Sequence, residues 1–419
     1  MKRTDLTAEL RVPYTPKRGY GVMHVEEAGY ENMWFVVPPA PPNDIPPNMP
    51  RGVIARANDV ISRRPHWKDA SQRDQLAALL LAKREALSSS RMEGTWSTID
   101  HVLTPSEAYD DDEGRSDNLA VRGYATALYQ ALGIVEEYGA KSVNVDLVCL
   151  IHEMFMSKDP SFLHRAGELR APDLAGSVVQ IGGGGRKEDA IYNPAPPEHV
   201  QRCIKDVMAW MRDDVILEMG DAGMGMALPV RMAVGHAHFE AVHPFPNGNG
   251  RVGRMLWPLQ MMLYGRLPLY LSGYVEAHRE AYNSALQSAQ KQLDYHDIVK
   301  FVCEAILGSY DEEMWTKRAI GVLPERWHER RKFREGSAAE RALEVLTHTP
   351  IITMTGLQQQ LNVSAPAAAK ALKQLVEAEI IRERTGYKRN RVFAAEEVIQ
   401  ILGRPFGERP ERSLEQMKT

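Results

Sequence analysis

Residues 243–254 read HPFPNGNGRVGR, a stretch that combines turn-forming proline, asparagine and glycine with one histidine and two arginines. The segment before it, RMAVGHAHFEAV, has a helical pattern, and the segment after it, RVGRMLWPLQMML, begins a new amphipathic helix at Arg251. The stretch is therefore predicted to be a loop that leads into the N-terminus of a helix. Such a terminus presents unsatisfied backbone N–H groups and the positive end of the helix dipole, so it favours an anion.

Two glycines and two arginines suit this loop to phosphate groups. Gly248 and Gly250 let the backbone approach an anion closely and adopt positive φ angles, where a side chain would clash. Arg251 and Arg254 lie three residues apart in the first helical turn, so both guanidinium groups can meet a polyphosphate. The loop and the helix start are therefore predicted to cradle phosphates.

A histidine and an asparagine add reactive chemistry to the loop. Histidine titrates near neutral pH, which suits His243 as a general base that takes a proton from an attacking hydroxyl group. The amide oxygen of Asn247 can hold a magnesium ion that bridges phosphates. His236 and His238 precede the loop, but residues two apart on a helix point to different faces, so a shared metal site is not expected. Each loop feature alone is common, whereas their combination at this spacing is much more specific.

The bulk properties are those of an ordinary globular protein. The chain has 419 residues, of which 44% are hydrophobic and 25% charged, enough for two or three domains with a sizeable core. A formal net charge of −4 gives no global attraction for nucleic acid or an anionic membrane, so either contact requires a local patch. The basic start, MKRTDLTAEL, is not followed by an apolar run, and no run of about eighteen apolar residues occurs. A cytoplasmic protein without membrane contact is expected.

Composition shifts divide the chain into five regions. We expect an N-terminal arm and helix region at 1–110, a helical body at 111–318, a basic linker at 319–336, a compact unit at 337–402 and a tail at 403–419. The fold class is mainly α.

Individual elements follow from proline, glycine and apolar spacing. The proline-rich segment 36–50 is predicted to be an extended arm, and a helix is predicted from about 69 to 94. The stretch GSVVQIGGGGRKEDAIYNPAPP predicts a β-hairpin that projects from the helical body. Amphipathic spacing predicts helices in that body at about 118–138, 144–157, 198–219, 227–241, 251–264 and 272–310.

The C-terminal unit, 337–402, resembles a winged helix-turn-helix, with three helical segments followed by two strands around a glycine turn. Its third helix offers few side chains for reading base edges, chiefly Lys370, Lys373 and Gln374. The basic residues lie instead in the wing: Arg382, Arg384, Lys388, Arg389 and Arg391. The wing is therefore a candidate for contact with DNA phosphates, and a protein-binding or homodimerising wing is the alternative.

The opening motif resembles the signature of the Fic family, His-x-Phe-x-acid-Gly-Asn-Gly-Arg-x-x-Arg, and it matches every fixed position except Asn247. The flanking segments HAHFEAV and LSGYVEAHREAYNSAL also resemble that family, so the likeness covers about 100–310. The resemblance implies a helical Fic-type core that transfers AMP from ATP, with Mg²⁺, to a Ser, Thr or Tyr hydroxyl group of a target protein.

The resemblance also implies a role for each matching residue. His243 would deprotonate the target hydroxyl group, and the hairpin from Val178 to Tyr192 would be the flap that docks the target segment by backbone pairing. Asn247 stands where the family usually places a carboxylate on magnesium, which implies weaker metal binding. The remaining positions would act on the nucleotide or the loop: Gly248, Asn249 and Gly250 cradle the α- and β-phosphates, Arg251 and Arg254 hold the outer phosphates, and Phe245 anchors the loop.

A second motif, SSRMEG, resembles the family's inhibitory motif, with Ser89, Glu93 and Gly94 at its fixed places. The resemblance implies that Glu93 pairs with Arg254 and so inhibits the enzyme through its own N-terminal helix. Taken alone, the motif is also ordinary chemistry of a helix end. Three functions stay open: a self-inhibited AMP transferase, a DNA-binding regulator with a weak or inactive Fic-like body, and an enzyme that removes AMP.

Overall fold

The computed structural model describes residues 1–44, 48–105, 116–159, 162, 164–212, 227–385 and 391–411. The chain forms two compact units. The first comprises residues 1–70 and 123–309, and the second comprises residues 71–122 and 310–419. Each unit therefore contains two separate segments of the chain.

The structure is mainly helical. In chain order the helices are α1 (Arg51–Arg63), α2 (Gln72–Met92), α3 (Ile99–Leu103), α4 (Ser116–Tyr138), α5 (Val145–Met156), α6 (Pro197–Met211), α7 (Leu228–Val242), α8 (Asn249–Leu263), α9 (Ser272–Ala277), α10 (Arg279–Gln292), α11 (His296–Gly321), α12 (Leu323–Arg330), α13 (Ala338–His348), α14 (Met354–Leu361), α15 (Ala365–Glu377) and α16 (Glu396–Gly403). The strands are β1 (Gly21–Met23), β2 (Phe35–Val37), β3 (Ile351–Thr353), β4 (Arg382–Glu383) and β5 (Val392–Ala394). The predicted mainly α fold class is confirmed.

Helix α7 is the centre of the first unit. All of its residues from Leu228 to Val242 are buried, because α1, α6, α8 and α10 pack around it. A helix that is covered on every side has apolar residues all round instead of on one stripe, which fits the alanines and valines spread along its sequence. Helix α7 therefore carries the residue that follows it, His243, on a rigid support.

The N-terminal segment supports the hairpin of the first unit. Strands β1 and β2 pair antiparallel, with Val22 opposite Val36. The N–H group of Val36 donates to the carbonyl oxygen of Asn193 at 3.0 Å. The predicted flap is closed by an antiparallel bridge between Ile181 and Tyr192, and its tip is formed by four glycines at 182–185, all with positive φ. A sheet at the start of the chain thus buttresses a hairpin that lies much later in sequence.

The second unit combines α2 and α3 with the C-terminal helices and a small sheet. Strand order in this sheet is β3-β5-β4, and both pairings are antiparallel. Ser71, Ser337 and Thr353 each cap the helix that follows, with side-chain oxygens that accept from backbone N–H groups. Three helices, α13 to α15, followed by strands β4 and β5 agree with the predicted element order, whereas β3 between α13 and α14 was not predicted. The winged-helix assignment stays a prediction.

Several boundaries differ from the expected ones. Helix α1 was not predicted, and α12 lies within the segment 319–336 that was predicted to be a linker. The predicted helix at 272–310 is three helices, because His278 (φ −124°, ψ 39°) and Leu293 (φ 55°, ψ 24°) leave the helical conformation. The predicted end of the 198–219 helix beyond residue 212 lies outside the described residues. Among the described residues, no helix is both long and apolar enough to cross a bilayer.

Candidate active site

His243 lies at the C-terminal end of α7 in an unusual backbone conformation. Its φ of 52° and ψ of 63° are left-handed, which is uncommon for a residue other than glycine and costs on the order of 1–3 kcal/mol. Its N–H group still donates to the carbonyl oxygen of Phe239 at 2.9 Å. The side chain is 19% exposed, and its Nδ1 atom lies 3.5 Å from Oε2 of Glu240. The chain therefore turns sharply here and leaves the imidazole partly open to solvent.

Arg170 holds this turn in place. Its guanidinium group donates to four main-chain carbonyl oxygens: those of His243 (2.7 Å), Val242 (2.9 Å), Ser177 (2.9 Å) and Ala195 (2.8 Å). Ser177 and Ala195 flank the flap, so one side chain ties both ends of the flap to the turn at His243. Burial lowers the pKa of Arg170 to about 9, so the group remains protonated at neutral pH. Sequence analysis missed this residue because three of its four partners, including His243, are 25 or more residues away.

The loop after His243 is shaped by two asparagines. The amide oxygen of Asn249 accepts from the N–H group of Phe245 at 2.8 Å, and its amide nitrogen donates to the Phe245 carbonyl oxygen at 2.7 Å. The amide oxygen of Asn247 accepts from the N–H group of Gly248 at 2.7 Å. Asn249 is 1% exposed. Its side chain therefore braces the loop, and only its backbone N–H group is suited to a phosphate.

Helix α8 begins at Asn249, two residues earlier than predicted, with Gly248 as its N-cap at φ 77°. A Cβ atom at Gly248 would also lie 3.0 Å from the sulfur of Met156, so glycine is required there for both reasons. Gly250 is different, since it lies in the first helical turn and not at positive φ as predicted. The first intrahelical bond runs from Val252 to Gly248, so the preceding N–H groups point out of the helix end.

His152 of α5 braces the same loop from the opposite side. Its Nδ1 atom accepts from the N–H group of Gly167 at 2.8 Å, so Nε2 carries the proton and donates to the carbonyl oxygen of Asn247 at 3.1 Å. Its ring stacks on Phe245. Burial lowers the pKa of His152 to about 4, which keeps the ring neutral. The predicted anchoring role of Phe245 thus has a specific partner that sequence analysis did not identify.

The two predicted phosphate arginines have different surroundings. Arg251 is 2% exposed, and its guanidinium carbon lies 5.0 Å from the ring centre of Phe155 in α5. Arg254 is 1% exposed, and its positive charge acts on Glu240 of α7. Both side chains lie on the first turns of α8, and the loop leads directly to them.

Family comparisons agree with this geometry. The Fic/DOC family model matches residues 142–261, and the Fic/DOC family N-terminal model matches residues 54–133. The first match contains the loop, α7, most of α8 and the flap. Residues 142–261 thus form a Fic/DOC domain.

Individual relatives match shorter parts. The chain is 30% identical over 132 residues to a probable protein adenylyltransferase, aq_aa38, of Aquifex aeolicus (strain VF5), covering 28% of this chain and 38% of the relative. It is 36% identical over 94 residues to protein adenylyltransferase fic-1 of Caenorhabditis elegans, covering 22% of this chain and 16% of that relative. The matches thus span well under half of both relatives. A Fic family protein structure from Desulfovibrio desulfuricans G20 aligns with 19% identity and a TM-score of 0.49, covering 85% of this chain and 98% of its own.

The predicted magnesium ligand, Asn247, makes a hydrogen bond within its own loop. The amide oxygen of Asn247 already accepts a hydrogen bond from Gly248. Within the described part of the chain, no group of three or more His, Cys, Asp or Glu residues is placed to hold a metal ion. The role of Asn247 as a magnesium ligand stays a prediction, and no catalytic step is assigned to the ion.

Two other histidines of the Fic core hydrogen-bond to tyrosines. Nε2 of His236 lies 2.7 Å from the Tyr282 hydroxyl oxygen, and Nε2 of His238 lies 2.8 Å from the Tyr295 hydroxyl oxygen. Burial lowers the pKa of each histidine to about 4. Each ring therefore has its own tyrosine partner.

The predicted inhibitory motif ends helix α2. Ser89 is fully buried, and Glu93 is the C-cap with an exposed side chain. Gly94 adopts a φ of 82°, and its N–H group donates to the carbonyl oxygen of Arg91 at 3.1 Å. The motif belongs to the second unit, whereas the Fic loop belongs to the first. The pairing of Glu93 with Arg254 stays a prediction.

Proposed function

We propose that the chain transfers AMP from ATP to a Ser, Thr or Tyr hydroxyl group of a target protein. The observation that carries the proposal is the position of His243, a partly exposed imidazole at the entrance of a braced loop that ends at a helix N-terminus. A base and an anion site are thus built into one turn of chain. The naming of two relatives as protein adenylyltransferases supports the same reaction.

The chemistry follows from the arrangement of the loop. Nδ1 of His243 faces Glu240, so Nε2 is the atom that takes the proton from the target hydroxyl group. The hydroxyl oxygen then attacks the α-phosphorus of ATP, an oxygen–phosphorus bond forms, and the bond to the bridging oxygen of the β-phosphate breaks. Negative charge develops on the leaving pyrophosphate. The N–H groups at the start of α8 and the guanidinium groups of Arg251 and Arg254 would stabilise it. Target AMP ester and pyrophosphate are the products.

Target docking is assigned to the flap at 178–192. Its two ends are joined to the turn at His243 through Arg170, so a strand paired with the flap backbone would be held in register with the base. Val178 packs with Val25 and Phe35 of the N-terminal segment. This packing would keep the flap in position before a target binds.

Self-inhibition is the regulatory part of the proposal. It rests on the SSRMEG motif, whose Glu93 carboxylate ends α2 on an exposed side chain. The pairing with Arg254 would remove the guanidinium group that orients the outer phosphates. Wild-type transfer should then be slow.

The test is a labelling experiment with ATP that carries its label on the α-phosphate. Wild type and Glu93→Gly are incubated with a cell extract, with ATP labelled on the γ-phosphate in parallel reactions. Label from the α-position alone supports AMP transfer, and His243→Ala should reduce it by about 10²- to 10⁴-fold while ATP binding persists. Loss of label from a previously modified protein would instead favour AMP removal. If no label is incorporated from the α-position and none is removed from the modified protein, the proposal is contradicted.

The DNA-binding alternative has weaker support. Arg384 forms ion pairs with Asp100 and Glu396, and Arg391 pairs with Glu383. Lys388 and Arg389 lie outside the described residues. Binding of the full chain to duplex DNA that falls steeply with salt would favour this alternative. Absence of binding at low salt would favour a wing that contacts protein.

A further inference from the structure

The side chain of Glu240 is a buried carboxylate to which the phosphate chemistry assigns no part. It is 6% exposed, and its Oε2 atom lies 3.5 Å from Nδ1 of His243. Its Oε1 atom and the His243 Nδ1 atom are both buried, and neither has a hydrogen-bond partner among the described residues. Two complementary groups thus lie side by side just beyond hydrogen-bond distance.

The surrounding structure leaves room for this carboxylate. A Cβ atom at Gly253 of α8 would lie 2.6 Å from Oε1 of Glu240 and 3.0 Å from Cε1 of His236. Glycine at this position therefore lets α8 approach α7 with the glutamate between them. An alanine at Gly253 would collide with the carboxylate, so the packing is built around the acidic side chain.

The charged and titratable groups that act on Glu240 come from helices α7 and α8, and a tyrosine of α10 bonds to one of them. His236 lies one turn earlier on α7 and is itself bonded to Tyr282 of α10, and Arg254 comes from α8. Burial opposes the charged carboxylate, yet its contact with His243 and these neighbours hold the pKa of Glu240 below its usual value. A buried carboxylate without such partners would be costly, so its retention calls for a role.

We propose that Glu240 is a positioning residue for His243. Its carboxylate accepts a hydrogen bond from Nδ1–H, which fixes the tautomer whose Nε2 atom is unprotonated and can act as the base. The same negative charge stabilises the imidazolium that forms when Nε2 takes the proton from the target hydroxyl group. No proton passes to Glu240. The 3.5 Å separation shortens when ATP and target order the site, as catalytic hydrogen bonds commonly do.

The inference rests on the proposed AMP transfer, in which His243 is the base. The variant that tests it is Glu240→Gln, which keeps the size of the side chain and removes its charge. The matched control is His238→Gln, because His238 is equally buried on the same helix but bonds to Tyr295. Both variants disturb the packing of α7, and only the first removes a group that faces His243.

The first measurement is the steady-state kinetics of AMP transfer. Glu240 orients the base and does not touch the nucleotide, so Glu240→Gln should leave the KM for ATP nearly unchanged and lower kcat between about 10-fold and 10⁴-fold. The upper figure is that of a serine protease deprived of its orienting carboxylate. His238→Gln should leave kcat per folded molecule nearly unchanged. An unchanged kcat in Glu240→Gln, or the same loss in both variants, would overturn the proposal.

The second measurement is the tautomer of His243, observed by nuclear magnetic resonance with isotope-labelled histidine in the absence of nucleotide. Wild type should carry the proton on Nδ1, and Glu240→Gln should shift the ring towards the Nε2–H tautomer. An Nε2–H tautomer in wild type would overturn the inference even if the variant does not fold. This readout does not need transfer activity, so it separates failure of the inference from failure of the proposed function.

Discussion

The imidazole of His152 lies flat against the phenyl ring of Phe245, with ring centres 3.9 Å apart and planes 3° apart. The same imidazole is bonded through Nδ1 to the N–H group of Gly167 and through Nε2 to the carbonyl oxygen of Asn247. Two contacts from one buried side chain thus fix the loop between His243 and α8, and the third holds the ring itself at Gly167. The loop has this shape before any nucleotide binds, so nucleotide binding does not carry the entropic cost of ordering it.

Replacing His152 should separate the contribution of the stack from that of the hydrogen bonds. His152→Phe can keep an aromatic stack but leaves the Gly167 N–H group and the Asn247 carbonyl unpaired, at a cost of about 1–3 kcal/mol for each buried group. His152→Ala should lose more, since the stack and the packing also disappear. Urea unfolding measures the stability, and calorimetric titration with ATP should show weaker binding in both variants. Wild-type stability and affinity in His152→Phe would contradict a bracing role for the hydrogen bonds.

Stability should fall in mild acid. Burial lowers the pKa of His152, His236 and His238 to about 4, whereas an unfolded histidine titrates near 6.5. Between these values the unfolded chain binds more protons than the folded one, so the stabilisation is complete above about pH 6.5 and is lost as the pH falls to about 4. Each histidine contributes on the order of 3 kcal/mol to this loss.

Urea unfolding at a series of pH values checks this expectation. The free energy of unfolding should decrease steadily as the pH is lowered through the window, and His238→Gln should show a shallower decrease because it has one buried histidine fewer. A free energy of unfolding that stays constant or rises towards acid would show that these rings are not held neutral.

The loop and its helices could be predicted because their signals are local. Proline, glycine and capping residues mark the ends of α2, α7 and α8 within about three residues of the expected positions. The base and the helix N-terminus are likewise adjacent in sequence, so the site could be located from one motif.

The supports of that site could not be predicted because they are long-range contacts. Arg170 and His152 reach the loop from 73 and 95 residues away, and no short pattern encodes either contact. The bond between Asn247 and Gly248 was missed for another reason. The sequence shows that residue 247 is an asparagine, but it does not show whether the amide oxygen is free or hydrogen-bonded within its own loop.

Arg170 should be needed for both stability and transfer. Arg170→Gln leaves up to four buried carbonyl oxygens without a charged donor, which should cost at least about 3 kcal/mol. Arg170→Lys keeps the charge but lacks the planar fork, so it should restore only part of the loss. Transfer per folded molecule should fall in both variants, since the flap and His243 are no longer tied together.

Arg64→Lys is the matched control for this prediction. Arg64 is also buried, and it donates to the carbonyl oxygens of Leu267 and Pro268 at 2.7 Å each, away from His243. The Arg64→Lys variant should be less stable than wild type, without a comparable loss of AMP transfer per folded molecule. Equal losses of transfer in Arg64→Lys and Arg170→Lys would mean that Arg170 acts through stability alone.

The regulatory proposal makes the sharpest prediction, because it concerns two residues about 160 positions apart. If Glu93 pairs with Arg254, ATP can enter while its γ-phosphate lacks a guanidinium partner, and the α-phosphate is poorly aligned for attack. Glu93→Gly should then raise the rate of AMP transfer, by on the order of 10²-fold if the misalignment is about 1 Å. Glu93→Gln keeps the side-chain size at the end of α2 and should raise the rate in the same direction, which assigns the effect to the charge. Arg254→Ala should be inactive with or without Glu93, and this non-additivity identifies the pair.

If Glu93 has only a structural role, its substitution should destabilise the protein and give no gain in activity. Self-inhibition is refuted if folded Glu93→Gly labels neither itself nor any extract protein faster than wild type.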